Sequence, residues 1–317
     1  MSKTLVYFVS DLHGSSVCFR KFVNSTKVYK PNVLILGGDV AGKAIQSIVK
    51  APGGRYQCTF IGARYDISDE AELLNLERLI ADHGYYSYRA EPGELEAMDE
   101  AGTLDELFLR LMRERLTEWL DIADTRLRPQ GIPLFFMLGN DDPPELAELL
   151  DQAPWGVHAE GKVVRLDDDH EMISWGYANT TPWHTYREQD EQQLAAAYET
   201  MAKKLDRPGR AVFNLHPPPY ATQLDDAPAL DDELRVRAVL GQVQYQAVGS
   251  TAVRDLEAKY QPLLGLHGHI HESSGIRRLG PRKSMVINPG SDYSTGALNG
   301  ALITLDRDKA GAQLVRG

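Results

Sequence analysis

The stretch Thr4-Leu-Val-Tyr-Phe-Val-Ser10-Asp11-Leu-His13-Gly14 decides the architecture, because an unbroken apolar run ends abruptly in a carboxylate and an imidazole. Runs of this length, rich in β-branched residues and closed by turn formers, suit strands covered on both faces. The same pattern returns five times: NVLILGG before Asp39, IPLFFMLG before Asn140, RAVFNL before His216, LLGL before His267, and SMVINPGS from Ser284 to Ser291. Six such strands make an α/β sheet core. Open α/β sheets gather ligands at the carboxyl ends of their strands, so the polar residues that close each run are expected along one edge.

Between the strands, Ser15 to Tyr29 is expected to form a crossover helix, with Pro31 restarting the chain in extended form. The polar, Ala-rich stretch from Glu188 to Leu205 reads as a second helix, ended by Pro208 and Gly209. Asp39 and Asn140 lie about a hundred residues apart, far more than a crossover needs, so residues 43–130 are expected to form an inserted, mostly helical cap within one domain spanning 1–317. In it, GRYQCTFIG reads as a strand, Ser68 as the cap of a helix running through Leu79 and Ile80, and Thr103 with Glu106 as a capping box. The insertion is expected to cover the metal edge. Asp167 to Asp169 reads as a solvated turn.

The formal charge of −11 over 317 residues disfavours a protein that coats nucleic acid. Cys18 and Cys58 form no CxxC pair, and the apolar run near the N-terminus is short for a signal peptide. A cytoplasmic protein without membrane spans is the expectation; the oligomeric state is open.

Each histidine or carboxylate alone would mean little. Together, Asp11-x-His13, Gly-Gly-Asp39, Gly-Asn140, His216 and Gly-His269-x-His271 supply the mixed oxygen and imidazole donors that two divalent sites need. In this order the motifs resemble those of the calcineurin-like metallophosphoesterase superfamily, with its frequent trailing Asn-Pro-Gly-Ser at 288–291. The resemblance implies a four-layer α-β-β-α sandwich. It also implies one metal on Asp11, His13, Asp39 and His271, and a second on Asp39, Asn140, His216 and His269, with Asp39 bridging. Manganese is the first expectation, with iron, zinc, nickel or cobalt as alternatives.

The implied activity is hydrolysis of a phosphodiester or phosphomonoester of a small, nucleotide-like substrate by a metal-bridging hydroxide, with catalytic roles at Asp39, Asn140, Asp141 and His216. A nuclease and a non-catalytic scaffold are the alternatives. The chain lacks the Arg-containing sequence of Ser/Thr protein phosphatases after Asp39, and has Gly42 where purple acid phosphatases have a Tyr. Many relatives have a His after the motif Asn, and here Asp141 stands. It either faces the pocket and disfavours dianionic monoesters, or turns away to cap the segment from Pro143. His267 reads as a hydrogen-bonding or packing residue, with orientation of a metal ligand as the alternative, and Asn179, Trp183, Tyr220 and Tyr293 either line the pocket or serve as ordinary packing. Tyr85, Tyr86 and Tyr88 either stack on a nucleobase or anchor the cap. Arg277, Arg278, Arg282 and Lys283 read as a hairpin with a solvated basic turn, with binding of a second phosphate as the alternative.

Overall fold

The computed structural model describes residues 3–317. The six apolar runs are all strands, divided equally between two six-stranded sheets. In the first sheet the order is Lys309–Arg316, Asn299–Asp306, Thr4–Val9, Val33–Gly37, Leu134–Met137 and Val157–His158. The last four run parallel. In the second the order is Gly275–Leu279, Ser284–Asn288, Leu264–Leu266, Val212–Leu215, Glu171–Trp175 and Val163–Arg165. Here the middle four are parallel.

Strand alternation builds the layers. Val6, Phe8, Val33 and Ile35 from the first sheet meet Met172, Val212, Leu264 and Ile287 from the second in one buried cluster. Their sequence neighbours Tyr7, Val9, Leu34 and Leu36 face outward onto Phe19 and Phe22 of the helix Ser16–Val28 and Trp119 of the helix Leu104–Leu127. On the far side, Ile173, Phe213 and Leu215 are covered by the helices Glu191–Ala202 and Thr251–Tyr260. Period-2 side chains on strands buried on both faces thus give the expected α-β-β-α stack.

The first crossover helix is as expected, capped by Ser15 Oγ on the Cys18 amide. Three local expectations need correction. The helix Glu70–Asp82 is capped by Asp69, not Ser68; the Asp69 carboxylate accepts from Glu72 N at 2.9 Å. Thr103 stands at the start of its helix but forms no capping box, because its hydroxyl donates back to the Met98 carbonyl. The later helix is shorter than Glu188–Leu205, since Asp190 and Gln193 form a capping box that starts it at Glu191.

Residues 45–90 carry a sheet of their own, ordered Ala63–Ile67, Arg55–Phe60, Ile45–Ala51, Tyr86–Ala90, of which Arg55–Phe60 alone was foreseen as a strand. With the helix Glu70–Asp82 this sheet encloses a small core around Ile48, Phe60, Leu73 and Ile80. The segment therefore holds sheet as well as helix. Two of its tyrosines are anchors: the buried Tyr86 hydroxyl accepts from Gly42 N at 2.9 Å, and Tyr88 donates to Glu94, while Tyr85 is more than a third exposed and packs edge-on against Phe60. Arg277 and Arg278 lie on one arm of a hairpin with Ser284–Asn288. Asp167 closes its turn by accepting from the amides of Asp169 and His170. Among the described residues, no helix is long and apolar enough to cross a membrane.

Candidate metal centre

The polar residues that end the apolar runs converge where the carboxyl ends of the two sheets meet. Asp11, His13, Asp39 and His271 offer ligand atoms that all lie within 4.8 Å of one another, and Asp39, His216 and His269 form a second such group. Asp39 belongs to both. Asn140 joins the second group, with its Oδ1 3.1 Å from His216 Nε2. All seven sequence-predicted ligands are therefore brought together.

The backbone bends sharply to present them. Asp11, His13, Asp39 and His269 all have positive φ, between 39° and 66°, a conformation costing of order 1–3 kcal/mol per residue. Cross-links between motifs hold it: Asp11 N donates to Gly38 O at 3.0 Å, His13 N to Asp39 O at 2.9 Å, and Ser291 Oγ to Asp11 O at 2.7 Å. His269 N in turn donates to the Asp11 carboxylate at 2.9 Å. The motif glycines are steric requirements. A Cβ on Gly139 would come within 2.1 Å of Asp39 Oδ1, and one on Gly268 within 2.2 Å of Asp11 Oδ2.

The donor set fits divalent cations. His13 Nε2 and His271 Nε2 lie 3.0 Å apart, and His216 Nε2 is 3.3 Å from Asp39 Oδ2. Burial pushes His13 down to about 3 and His269 down to about 4, so both present lone pairs at neutral pH. Burial also acts to lower His216, but the Asp39 and Asp11 carboxylates overcome it and lift the group to about 9. The field that draws a proton there would draw a cation. The tautomer of His216 is set by its Nδ1, which donates to Gly37 O at 2.9 Å and leaves Nε2 aimed at the cluster.

Several residues that support the site escaped the sequence reading. Lys43 Nζ is 2.5 Å from Asp141 Oδ2, so Asp141 does line the cavity but with its charge partnered. Asp141 does not cap the next segment; the short 3₁₀ turn Pro144–Leu146 has Pro143 at its N-cap and no side-chain cap. The buried Asp142 accepts from Val40 N at 3.0 Å, Ala41 N at 2.7 Å and Gly139 N at 2.7 Å, fastening the Asp39 loop to the Asn140 loop. Burial and the nearby Asp39 carboxylate lift Asp142 to about 7. A cation at Asp39 would relieve that repulsion.

Asn140 is aimed by its amide, which donates to Thr185 Oγ1 at 3.0 Å and Asp141 Oδ1 at 2.9 Å. Thr185 is itself held by Glu188. Arg187, also buried, donates to Gly139 O and pairs with Glu160.

His267 points away from the cluster, its Nδ1 donating to Leu215 O at 2.7 Å and its Nε2 lying 3.3 Å from the buried Glu257, in keeping with a hydrogen-bonding role. The Tyr293 ring lies against His13 with centroids 4.8 Å apart. Asn179, Trp183 and Tyr220 line a cavity of about 1320 Å³ that opens from the cluster. Phe108 and Met112, from the inserted segment, form part of its wall.

No protein-family model matches the sequence, and no curated protein matches it. Two solved structures align with 98% of this chain and 99% of their own length at 14% identity, with TM-scores of 0.56 and 0.53; the second is TT1561 of Thermus thermophilus. The 5'-nucleotidase precursor of the same organism aligns at 12% identity with 99% of this chain and 54% of its own, at a TM-score of 0.42 that supports no conclusion. With its paired sheets, flanking helices and donor cluster at the shared strand edge, the chain has the fold of the calcineurin-like metallophosphoesterases.

Proposed function

We propose that this chain is a dinuclear metal-dependent phosphoesterase that hydrolyses a small phosphate ester. The observation carrying the reading is the pair of donor groups sharing Asp39, four of whose residues (Asp39, Asn140, His269 and His271) line a large cavity. Asp11, His13, Asp39 and His271 would hold one ion, and Asp39, Asn140, His216 and His269 the other. When bound, such a pair supplies positive charge to phosphoryl oxygens and acidifies water near neutral pH.

The chain's own residues do the rest. Asp11 and Asp39 place two negative charges among four imidazoles, leaving a net positive centre once two divalent cations are present. Thr185 and Asp141 fix the Asn140 amide so that its oxygen faces the cluster. Lys43 offsets the charge of Asp141 at the cavity wall, which weakens the expected repulsion of monoesters and leaves both ester classes admissible. Apart from histidines, Lys43 is the one cation among the described lining residues, which favours a small substrate over an extended nucleic-acid backbone. Manganese and a cytoplasmic setting belong to the same proposal.

The test is hydrolysis of bis-p-nitrophenyl phosphate and p-nitrophenyl phosphate by protein stripped with chelator and then reloaded with manganese. Activity lost on stripping and restored by metal is the expected result. Full activity in metal-free protein would refute the reading.

A further inference from the structure

The loop between Asn179 and Glu188 presents two aromatic side chains to water beside the metal cluster: Trp183 is 64% exposed and Tyr186 59%. Large aromatic side chains normally bury most of their surface, and a cluster of exposed ones beside a cavity marks a binding surface. Both line the cavity. The same lining includes Tyr220, Leu234 and Val236, each more than a third exposed. The loop and the 226–247 arm thus both contribute exposed apolar side chains to the cavity lining.

Charge points the same way. The described lining contains no arginine and one lysine, and Lys43 is already paired with Asp141. Glu191 and Glu272 add negative charge to the wall, while Asp231 is paired with Arg235. Such a wall repels a second phosphate or a chain of phosphates, whereas a neutral apolar group meets only favourable contacts.

The loop is also mechanically tied to the metal cluster. Trp183 N donates to Thr181 Oγ1, Thr181 and Thr185 both bond Glu188, and Thr185 Oγ1 accepts from Asn140 Nδ2. A group bound on Trp183 and Tyr186 therefore sits on the segment that orients Asn140.

Resting on the phosphoesterase reading, we infer that the substrate is a phosphate ester carrying an extended apolar or aromatic body, and that Trp183 and Tyr186 bind this body.

The probes are dimethyl phosphate, methyl phenyl phosphate and diphenyl phosphate, which share one charge and differ only in apolar surface. Binding to manganese-loaded and to metal-free protein is measured by calorimetry, and hydrolysis is followed separately with methyl p-nitrophenyl phosphate. Each ring laid on the wall should tighten binding about tenfold. The double variant Trp183→Ala/Tyr186→Ala should reduce the diphenyl-over-dimethyl preference to about threefold or less; both side chains are exposed, so an unchanged melting temperature verifies the fold. Equal binding of the dimethyl and diphenyl esters, or a preference that survives the double variant, overturns the inference, and hydrolysis of the methyl p-nitrophenyl ester would then leave the phosphoesterase reading standing. Tight, Trp183-dependent binding of diphenyl phosphate with no ester hydrolysed would do the reverse.

Discussion

Replacing Asp142 by alanine removes the acceptor of three buried amides at once, those of Val40, Ala41 and Gly139. A buried N–H left without a partner costs roughly 1–3 kcal/mol. Water entering the space vacated by the carboxyl can satisfy part of the loss, so the low end applies and the total is about 3 kcal/mol. With an unfolding entropy of roughly 2.1 cal/mol/K per residue over 317 residues, that lowers the melting temperature by about 4–5 °C. The melt is run in chelator, because bound metal stabilises by mass action and would mask the effect, and near pH 5, below the raised Asp142 value of about 7, where the carboxyl is neutral and its removal relieves no repulsion from Asp39. The two loops joined by Asp142 carry Asp39 and Asn140, so the same variant should bind manganese about 10–100-fold more weakly. A drop under about 1 °C together with unchanged metal affinity would refute the claim that Asp142 fastens the loops.

Gly268→Ala should abolish stoichiometric metal binding while leaving the sheets folded, since its Cβ would displace the Asp11 carboxylate 2.2 Å away; metal content and circular dichroism check both halves. Thr185→Val leaves the Asn140 amide without one of its two acceptors, and kcat for bis-p-nitrophenyl phosphate should fall about tenfold with little change in melting temperature. His216 is raised to about 9 in the metal-free chain, so below that pH a metal must displace its proton. Affinity should therefore rise about tenfold per pH unit between pH 6 and 8 for each proton released, and pH-stat titration of manganese into metal-free protein should show that release; a flat profile would contradict it.

The ligand set was legible because its members cluster just past the ends of apolar runs, three of the seven (Asp39, Asn140 and His269) directly after a glycine. Gly139 and Gly268 are examples, and their sequence neighbours Asn140 and His269 are read at once. The layers were legible through the resemblance. Periodicity alone did not say that the strand before Asp39 and the strand before His216 lie in different sheets, because both are uniformly buried runs.

The supporting residues were not legible. Lys43 meets Asp141 across almost a hundred positions, and Arg187 reaches Gly139 from 48 residues away, so no local spacing announces either. Thr103 shows the limit of a local rule: the capping-box pattern marked the helix start, but a nearby carbonyl won the hydroxyl. Trp183 was ambiguous because an aromatic in a loop is equally compatible with a small core, and Tyr186 went unread for the same reason; their exposure decides it.

The central claim is tested most directly by the metal itself. A crystal of the protein grown with manganese, measured at the manganese absorption edge, should give two anomalous peaks about 3.5–4 Å apart, with the Asp39 carboxylate between them, Asp11, His13 and His271 on one side and Asn140, His216 and His269 on the other. A single peak, or two that do not share Asp39, would contradict the account.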